Sequence, residues 1–151
     1  MHSLVRRFIK TAIGFLAVGL AIGTWLIIRR ELFDHHASPY EASAHVHALF
    51  VGFVIQMILG VALWLFPRPD KSDERYSPRL VSVAYWMLTI GTAGRVAAEL
   101  LRTYVDGMGI RLTIVICGVA QVAGILLFFF TMWSRIRPLG SRIREASGER
   151  F

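Results

Sequence analysis

Cysteine is almost absent from this chain, and so are the short motifs that identify most soluble enzymes. The 151 residues include one cysteine, Cys117, which excludes a disulfide framework and a cysteine-rich metal site. The sequence contains no Walker loop, no GxGxxG after a strand, no Ser-His-Asp set and no CxxCH motif. A soluble catalytic module and a covalently attached c-type haem are therefore excluded.

Long polar stretches are also scarce, because four apolar runs of about twenty residues occupy most of the sequence. Hydrophobic residues make up 55% of the chain, and the mean hydropathy is +0.54. Since roughly 20 apolar residues in a helix cross a bilayer core, this composition excludes an ordinary soluble domain. We predict one all-α domain over residues 1–151, an integral membrane four-helix bundle. Its spans are expected at residues 8–28, 44–66, 80–101 and 110–133, with a basic tail at 134–151.

Acidic residues are few: ten Asp and Glu stand against seventeen Lys and Arg, and the net charge is +7. The arginines lie at the ends of apolar runs, which indicates membrane-surface and orientation signals and not nucleic-acid binding. Twelve Lys and Arg lie on the side of the two termini, against four in the two opposite loops. Basic loops stay in the cytoplasm, so both termini are predicted there, in a multi-pass protein of the cell inner membrane. The first run is predicted to be a retained span and not a signal peptide.

The second apolar run, residues 44–67, begins with His45 and His47. Titratable groups at this depth are costly enough to suggest a function. Residues two apart on a helix point about 200° apart, so the two imidazoles should lie on nearly opposite faces and serve different centres or neighbours. Gly52 and Gly60 follow close to the face of His45, which predicts a flat strip for a broad group. The alternative is two interfacial histidines bonded to loop carbonyls and water.

The third run contains two charged residues one helical turn apart, Arg95 and Glu99, with Arg102 beyond them. An arginine in a bilayer needs a partner, and Glu99 is the nearest candidate on its own face. One interpretation is that the pair holds the bundle together. The functional interpretation is that Arg95 provides a cation for the carboxylates of a cofactor, or that the pair belongs to a proton path. Gln56 and Gln121 are expected to be the remaining buried polar groups of the runs, each bonding across helices.

The polar segment between the first two runs contains adjacent histidines, His35 and His36. They could bind copper or zinc from solution, although adjacent loop histidines are usually solvated. The same segment should contain the start of the second helix, where Ser38 and Ser43 suit a turn, with Ser43 as a plausible cap.

The string HVHALFVGFVIQMILGVALWLFPR, residues 45–68, resembles the histidine-bearing helix of subunit I of the haem-copper oxidase superfamily. That superfamily includes the cbb3-type oxidases and nitric oxide reductases, and the string is also similar to the related NnrS membrane proteins and to small four-helix subunit I-like proteins. The similarity consists of the HxH, the apolar residues after it, two spaced glycines and a closing Pro-Arg. In that family, two histidines one residue apart on one helix ligate two different haems.

The resemblance implies that His45 and His47 are axial ligands of haem b, with Gly52 beside it and with Arg95 or Arg102 holding propionates. Subunit I of the family has twelve spans in three similar four-helix arcs. A chain that resembles one arc implies a homotrimer, with haem b bridged between His45 of one protomer and His47 of the next. None of the four apolar runs contains the family's HxxxY segment or the His-His pair of its copper site.

The function predicted on this basis is electron transfer by a membrane cytochrome near the outer membrane face. Its redox partner would be quinol or a periplasmic electron carrier, and its other partners would be lipid and copies of itself. One alternative is an enzyme, a minimal oxygen or nitric oxide reductase or a quinol oxidase, in which His35 or His36 completes a copper site. Another is a cofactor-free sensor or assembly factor, in which the histidines only titrate.

Overall fold

Four long helices account for most of the described chain, which in this computed structural model comprises residues 3–67, 76–136 and 148. The helices are α1 at Ser3–Phe33, α2 at Pro39–Leu65, α3 at Pro78–Arg102 and α4 at Met108–Met132. A 3-10 turn, Trp133–Arg135, follows α4. Each helix is long and apolar enough to cross a membrane, and the residues that the structure describes contain no strand. The predicted all-α, multi-pass membrane fold is confirmed, while most of the predicted tail lies outside the described residues.

The helices extend beyond the predicted spans because polar residues at their ends continue the helical backbone. α2 begins at Pro39, five residues before the predicted span, and its cap is Ser38. The Ser38 hydroxyl accepts from the backbone N–H of Glu41 at 3.2 Å, and the Glu41 carboxylate accepts from the backbone N–H of Ser38 at 2.8 Å. This reciprocal capping box, with proline at the first helical position, leaves Ser43 inside the helix. The prediction that Ser43 caps the helix was therefore wrong.

The middle of α2 is a π-helix over His47–Ile55, between α-helical segments at Pro39–Val46 and Gln56–Leu65. π-helical turns are rare and are frequently found at functional sites. This segment begins at His47 itself. Its wider turn changes the angular position of every later residue, so the faces of residues beyond His47 do not follow from a 3.6-residue period.

The larger apolar core lies at the end of the bundle where α1 begins, which we call the phenylalanine end. Phe8 is fully buried, with its ring centroid 5.0 Å from that of Tyr85 and 5.7 Å from that of Phe128. Both pairs are edge-to-face, a favourable arrangement for aromatic rings. Other buried members of this core are Val5, Leu59, Leu63, Val81, Ala84, Leu88 and Met132. The cluster joins all four helices.

A buried arginine also belongs to the phenylalanine end. Arg135 donates to the carbonyl oxygens of Leu63, Phe66 and Pro67, at 3.1, 2.9 and 2.7 Å. These carbonyls terminate α2, where the helix itself provides no N–H partner. The side chain of Arg135, which follows α4, therefore provides the missing hydrogen-bond donors at the end of α2.

The opposite end, which we call the histidine end, has a much smaller apolar cluster. Its buried members are Ala44, Ala48 and Val96, with Ile22 and Leu100 packed against them. Small side chains let α1, α2 and α3 approach closely here. Polar side chains also connect α1 to α2 and α2 to α3 at this end.

The helices α3 and α4 also approach each other closely, at glycines. A Cβ atom on Gly91 would lie 2.9 Å from the carbonyl oxygen of Cys117, and one on Gly124 would lie 3.0 Å from that of Ala84. Both contacts are with backbone atoms, so a larger residue would force the helices apart. This packing fixes the position of Arg95 relative to α4.

Candidate functional site

His45 lies between α2 and α1. Its Nδ1 atom is 2.9 Å from the carbonyl oxygen of Gly19, and because a carbonyl oxygen can only accept, the ring donates from Nδ1. The imidazole lies against Gly23, where a Cβ atom would be only 2.6 Å from the ring carbon Cε1. The two glycines of α1 therefore provide the acceptor and the space for this side chain.

His47 points to the other side of α2, towards α3. Its Nδ1 atom is 2.8 Å from the carbonyl oxygen of Ser43 and 3.5 Å from Oε2 of Glu99. The ring therefore also donates from Nδ1, to a carbonyl oxygen one turn earlier in the same helix. Because His45 faces α1 and His47 faces α3, the opposite orientation predicted from their spacing is present.

The two histidines share a tautomer and an unused atom. Each donates from Nδ1, and no hydrogen bond within the described part of the chain involves Nε2 of either ring. Histidines that ligate metals almost always donate their other ring N–H to a carbonyl or carboxylate oxygen, which fixes the ring and leaves a lone pair for the metal. Both side chains therefore have the hydrogen bonding that is typical of a metal-ligating histidine that binds through Nε2.

Glu99 is buried and links His47 to the charged residues of α3. Its Oε1 atom accepts from the Ser43 hydroxyl at 2.9 Å and from Nε of Arg95 at 3.0 Å. The Oε2 atom faces His47 and makes no other contact of hydrogen-bond length. The predicted Arg95–Glu99 pair is confirmed, and each charge compensates the other in a region where an isolated charge would be costly.

Arg95 also reaches α4, where its Nη1 atom donates to Oε1 of Gln121 at 3.3 Å. The amide of Gln121 donates to the Thr92 hydroxyl at 3.1 Å, and that of Gln56 donates to the Thr89 hydroxyl at 2.8 Å. The predicted bonds of both glutamines across helices are confirmed. They join α2 and α4 to α3 within the two helical turns that precede Arg95.

Arg102 occupies the edge of the site. Its guanidinium carbon lies 4.5 Å from the centroid of the Tyr40 ring, and its Nη2 atom is 4.0 Å from Oδ1 of Asp106. The Nε atom is buried and has no hydrogen-bond partner among the residues that the structure describes. Stacking on tyrosine thus holds a cation that keeps donors available.

The strip predicted at Gly52 is occupied by α1. A Cβ atom on Gly52 would lie 2.5 Å from the ring carbon Cγ of Phe15, and one on Gly60 would lie 2.8 Å from Cβ of Phe8. Both glycines therefore allow phenylalanines of α1 to pack on α2. Within one chain, the expectation of an open strip at Gly52 for a flat cofactor is corrected.

His35 and His36 are exposed in the segment between α1 and α2. The backbone N–H of His35 donates to the carbonyl oxygen of Arg29 at 3.1 Å. Across residues 3–67 and 76–136, no three His, Cys, Asp or Glu side chains come together in a group that could hold a metal ion. The structure does not bring these two histidines into the network of His45 and His47.

The segment between α3 and α4 has its own ion pair. Nε of Arg111 donates to Oδ1 of Asp106 at 3.0 Å, and Nη2 of the same arginine donates to Oδ2. These hydrogen bonds hold the pKa of the exposed Asp106 carboxyl below its ordinary value. The pair joins the start of α4 to the segment beside Arg102.

Two functional residues were missed by the sequence analysis. Ser43 was interpreted as a helix cap, yet its hydroxyl donates to Glu99 and its carbonyl oxygen accepts from His47. Its position four residues before His47 was an available signal, because residues so spaced are neighbours on a helix. The ring of Tyr40 under Arg102 had no comparable signal, since the two lie on different helices.

The chain has detectable sequence similarity to known proteins. The family model for cytochrome c and quinol oxidase polypeptide I matches residues 3–144. The cbb3-type cytochrome c oxidase subunit CcoN1 of Stutzerimonas stutzeri is 23% identical over 104 residues, which cover 69% of this chain and 22% of that protein. The match thus spans about a fifth of that relative, and no solved structure matches the chain significantly. Because the family match includes all four helices, the chain belongs to the cytochrome c and quinol oxidase polypeptide I family.

Proposed function

We propose that this chain is a membrane cytochrome in which Nε2 of His45 and Nε2 of His47 ligate non-covalent haem b. The observation that carries the proposal is the shared hydrogen bonding of the two rings, with Nδ1 donating and Nε2 unused. Membership of an oxidase family and the name of the CcoN1 relative support a redox role. When bound, haem supplies a reversible one-electron change at iron, whose potential depends on the axial ligands and their surroundings.

The opposite orientation of the rings governs how haem would be bound. Because His45 faces α1 and His47 faces α3, the two Nε2 atoms cannot meet one iron from the same helix. We therefore assign them to different haems, each shared between His45 of one copy and His47 of the next in a homo-oligomer, with a homotrimer as the favoured assembly. Haem held by two histidines would have no open coordination position for a substrate, which suits electron transfer.

The neighbours of the histidines have distinct positioning roles. The Gly19 carbonyl oxygen orients His45, and the Ser43 carbonyl oxygen orients His47. The Glu99 carboxylate beside His47 would increase the basicity of that imidazole as a ligand and so favour oxidised iron in a bound haem. Arg95 holds Glu99 in place.

Of the two arginines predicted to hold propionates, we assign this role to Arg102. Its Nε atom is buried without a hydrogen-bond partner, and its guanidinium is fixed on Tyr40. Arg95 already donates through Nε and Nη1 to Glu99 and Gln121. Gly52 makes no haem contact in this proposal, because it packs on Phe15.

The arrangement in the membrane follows from the distribution of basic residues. With both termini in the cytoplasm, the histidine end faces outward, and electrons pass near the outer face of the inner membrane. The exchanging partner would be quinol or a periplasmic electron carrier. The exposed His35 and His36 would bind copper only in the alternative, a minimal reductase.

The proposal is tested by reduced-minus-oxidised absorption spectra of the full chain purified in detergent. We expect a b-type band in the native chain and its loss or strong reduction in His45→Ala and in His47→Ala. The matched control is His35→Ala with His36→Ala, which removes two exposed histidines and should leave the band unchanged. The absence of a b-type band after haem supplementation would refute the proposal, and carbon monoxide binding together with copper would favour the reductase.

A second measurement tests the role of Glu99. Glu99→Gln keeps the size of the side chain and removes its charge, so oxidised iron loses a stabilising neighbour. We expect a retained band with a higher midpoint potential. An unchanged potential would show that Glu99 does not act on the haem through His47.

A further inference from the structure

A groove of about 540 Å³ runs along the outside of the bundle where α3 meets α4. Its wall is apolar and consists of α4 residues from Ile114 to Leu126, including Gly118 and Ala123, with Arg95 of α3 as its one charged lining residue. At 1.5 Å per residue, the α4 wall is about 18 Å long. The groove therefore has the length of several helical turns.

Arg95 has a donor to spare at this groove. Its Nε and Nη1 atoms are bonded to Glu99 and Gln121, Nη1 lies 3.2 Å from the position of a Cβ atom on Gly118, and Nη2 has no hydrogen bond within the described residues. Acyl chains of lipids contain no acceptor, and an unsatisfied N–H group in hydrocarbon is costly. The occupant of the groove should therefore be apolar and carry one oxygen acceptor at the depth of Arg95.

Over residues 14–24, the exposed face of α1 is apolar and carries one side-chain oxygen acceptor, the hydroxyl of Thr24. Gly14, Ala17, Ala21 and Thr24 are all exposed and are spaced three or four residues apart, so they form one stripe of small side chains. Nothing lies within 4 Å of the position of a Cβ atom on Gly14. The Thr24 hydroxyl makes no hydrogen bond within residues 3–67 and 76–136, and the stripe is about 15 Å long.

The stripe and the groove lie at the same depth. Ile22 of α1 belongs to the cluster of Val96, which places Ala21 and Thr24 near the level of Arg95 and Gly118. From there α1 runs back about 12 Å towards the phenylalanine end to reach Gly14. The α4 wall runs about the same distance in the same direction from Gly118 to Leu126.

We propose that this groove receives α1 of a second copy of the chain. The hydroxyl of Thr24 accepts from Nη2 of Arg95, and the small residues of the stripe lie along α4. The two surfaces differ, so each copy offers one to each neighbour, and in this proposal copies of one membrane orientation form a ring because the rotation between neighbours divides a full turn. This inference rests on the homo-oligomer of the proposed function and identifies its surfaces.

Thiol cross-linking in membranes tests the contact without any measurement of haem. On a Cys117→Ala background, chains with Ala21→Cys and chains with Val119→Cys are co-expressed and treated with a short bifunctional thiol reagent. We expect a dimer that contains one chain of each kind, and no cross-link in either variant alone. The control pairs Val119→Cys with Ile58→Cys, an exposed position on α2, and should give no product.

A chain that carries both Ala21→Cys and Val119→Cys should give a ladder of products that stops at the number of copies in the ring. Cross-linking of Ala21→Cys only to itself, or no cross-link between Ala21→Cys and Val119→Cys, would overturn the inference. A haem band without these cross-links would refute the contact alone, and cross-links without a haem band would refute the ligand proposal alone.

Size measurements on purified protein test the chemistry of the contact. Thr24→Val keeps the shape of the side chain and removes the acceptor, so we expect association to weaken roughly tenfold, as for loss of one interhelical hydrogen bond. Ala17→Leu should weaken it further by filling the groove with a larger side chain, whereas Ala93→Leu, on an exposed position of α3, is the matched control. A native chain that is monomeric with lipid bound, or a Thr24→Val variant that assembles like the native chain, would contradict the contact.

Discussion

The two ends of the bundle use the same four helices but are held together differently. At the phenylalanine end, fully buried rings and aliphatic side chains of all four helices pack on one another around Phe8. At the histidine end, the apolar cluster is limited to three small buried residues, Ala44, Ala48 and Val96. Hydrogen bonds among Ser43, Glu99 and Arg95 connect α2 and α3 there.

The arginines at the two ends show what this difference means. Arg135, at the phenylalanine end, donates to three backbone carbonyl oxygens and closes a helix terminus. Arg95 and Arg102, at the histidine end, keep donors without partners in the described chain. In a membrane, helices associate through packing and hydrogen bonds, so a region with little packing and spare donors is suited to bind something else. The phenylalanine end would then provide stability and the histidine end the function.

The largest change in stability should come from the phenylalanine end. Phe8→Ala removes two edge-to-face ring contacts and leaves a cavity, so we expect the free energy of unfolding to fall by about 3 kcal/mol. Reversible unfolding in mixed micelles measures this change. The control Phe130→Ala, at an exposed position, should change it by less than about 0.5 kcal/mol. Equal effects of the two substitutions would remove the distinction between core and lipid-facing rings.

A smaller loss is expected when the ion pair of the histidine end is broken. Glu99→Gln removes the charge of a buried carboxylate that accepts hydrogen bonds from Ser43 and Arg95. We expect the free energy of unfolding to fall by about 2 kcal/mol. The matched control is Glu31→Gln, whose exposed pair with Arg30 should contribute at most about 0.5 kcal/mol. The same unfolding measurement serves for both, and a native-like Glu99→Gln variant would show that the network does not stabilise this end.

The capping box of α2 should contribute still less. Ser38→Ala removes the acceptor for the backbone N–H of Glu41, and a loss of about 1 kcal/mol is expected. Ser77 precedes α3 but makes no capping hydrogen bond with its side chain, so Ser77→Ala should have almost no effect. Thermal unfolding of the two variants side by side gives the comparison. If both lost the same stability, the difference between the two caps would be without consequence.

The smallest effect should appear at acid pH. Arg111 lowers the pKa of Asp106 in the folded chain, so this carboxylate adds stability above the ordinary pKa of about 3.9, and that stability is lost as pH falls through the lower folded value. As the pH is lowered from about 5 to about 2, the free energy of unfolding should therefore fall slightly more for the native chain than for Asp106→Asn. Identical pH dependence of the two proteins would exclude this contribution.

Several interactions could be predicted because they depend on neighbouring positions of one helix. The pairing of Arg95 with Glu99 follows from their spacing of four residues, and the opposite orientation of His45 and His47 follows from their spacing of two. The helix start was placed wrongly because Ser38 and Ser43 both suit a cap, and only the reciprocal bonds with Glu41 distinguish them.

The predicted strip at Gly52 shows a different limit on what can be predicted from the sequence. A glycine in a helix indicates close approach but does not identify the group that approaches, and the structure places Phe15 there. The π-helical segment from His47 adds to this, because it alters the face on which later residues lie. Neither feature could be derived from a regular helical period.

The amino-acid sequence by itself determined that four helices cross a membrane and that two histidines enter it on one of them. These properties depend on local hydropathy and on the fixed geometry of a helix, which need no knowledge of distant residues. Only the tertiary structure decided which nitrogen of His45 is used, because its acceptor, the Gly19 carbonyl oxygen of α1, is brought close by folding. His47 donates to the Ser43 carbonyl oxygen of its own helix, and folding adds the Glu99 carboxylate of α3 beside it.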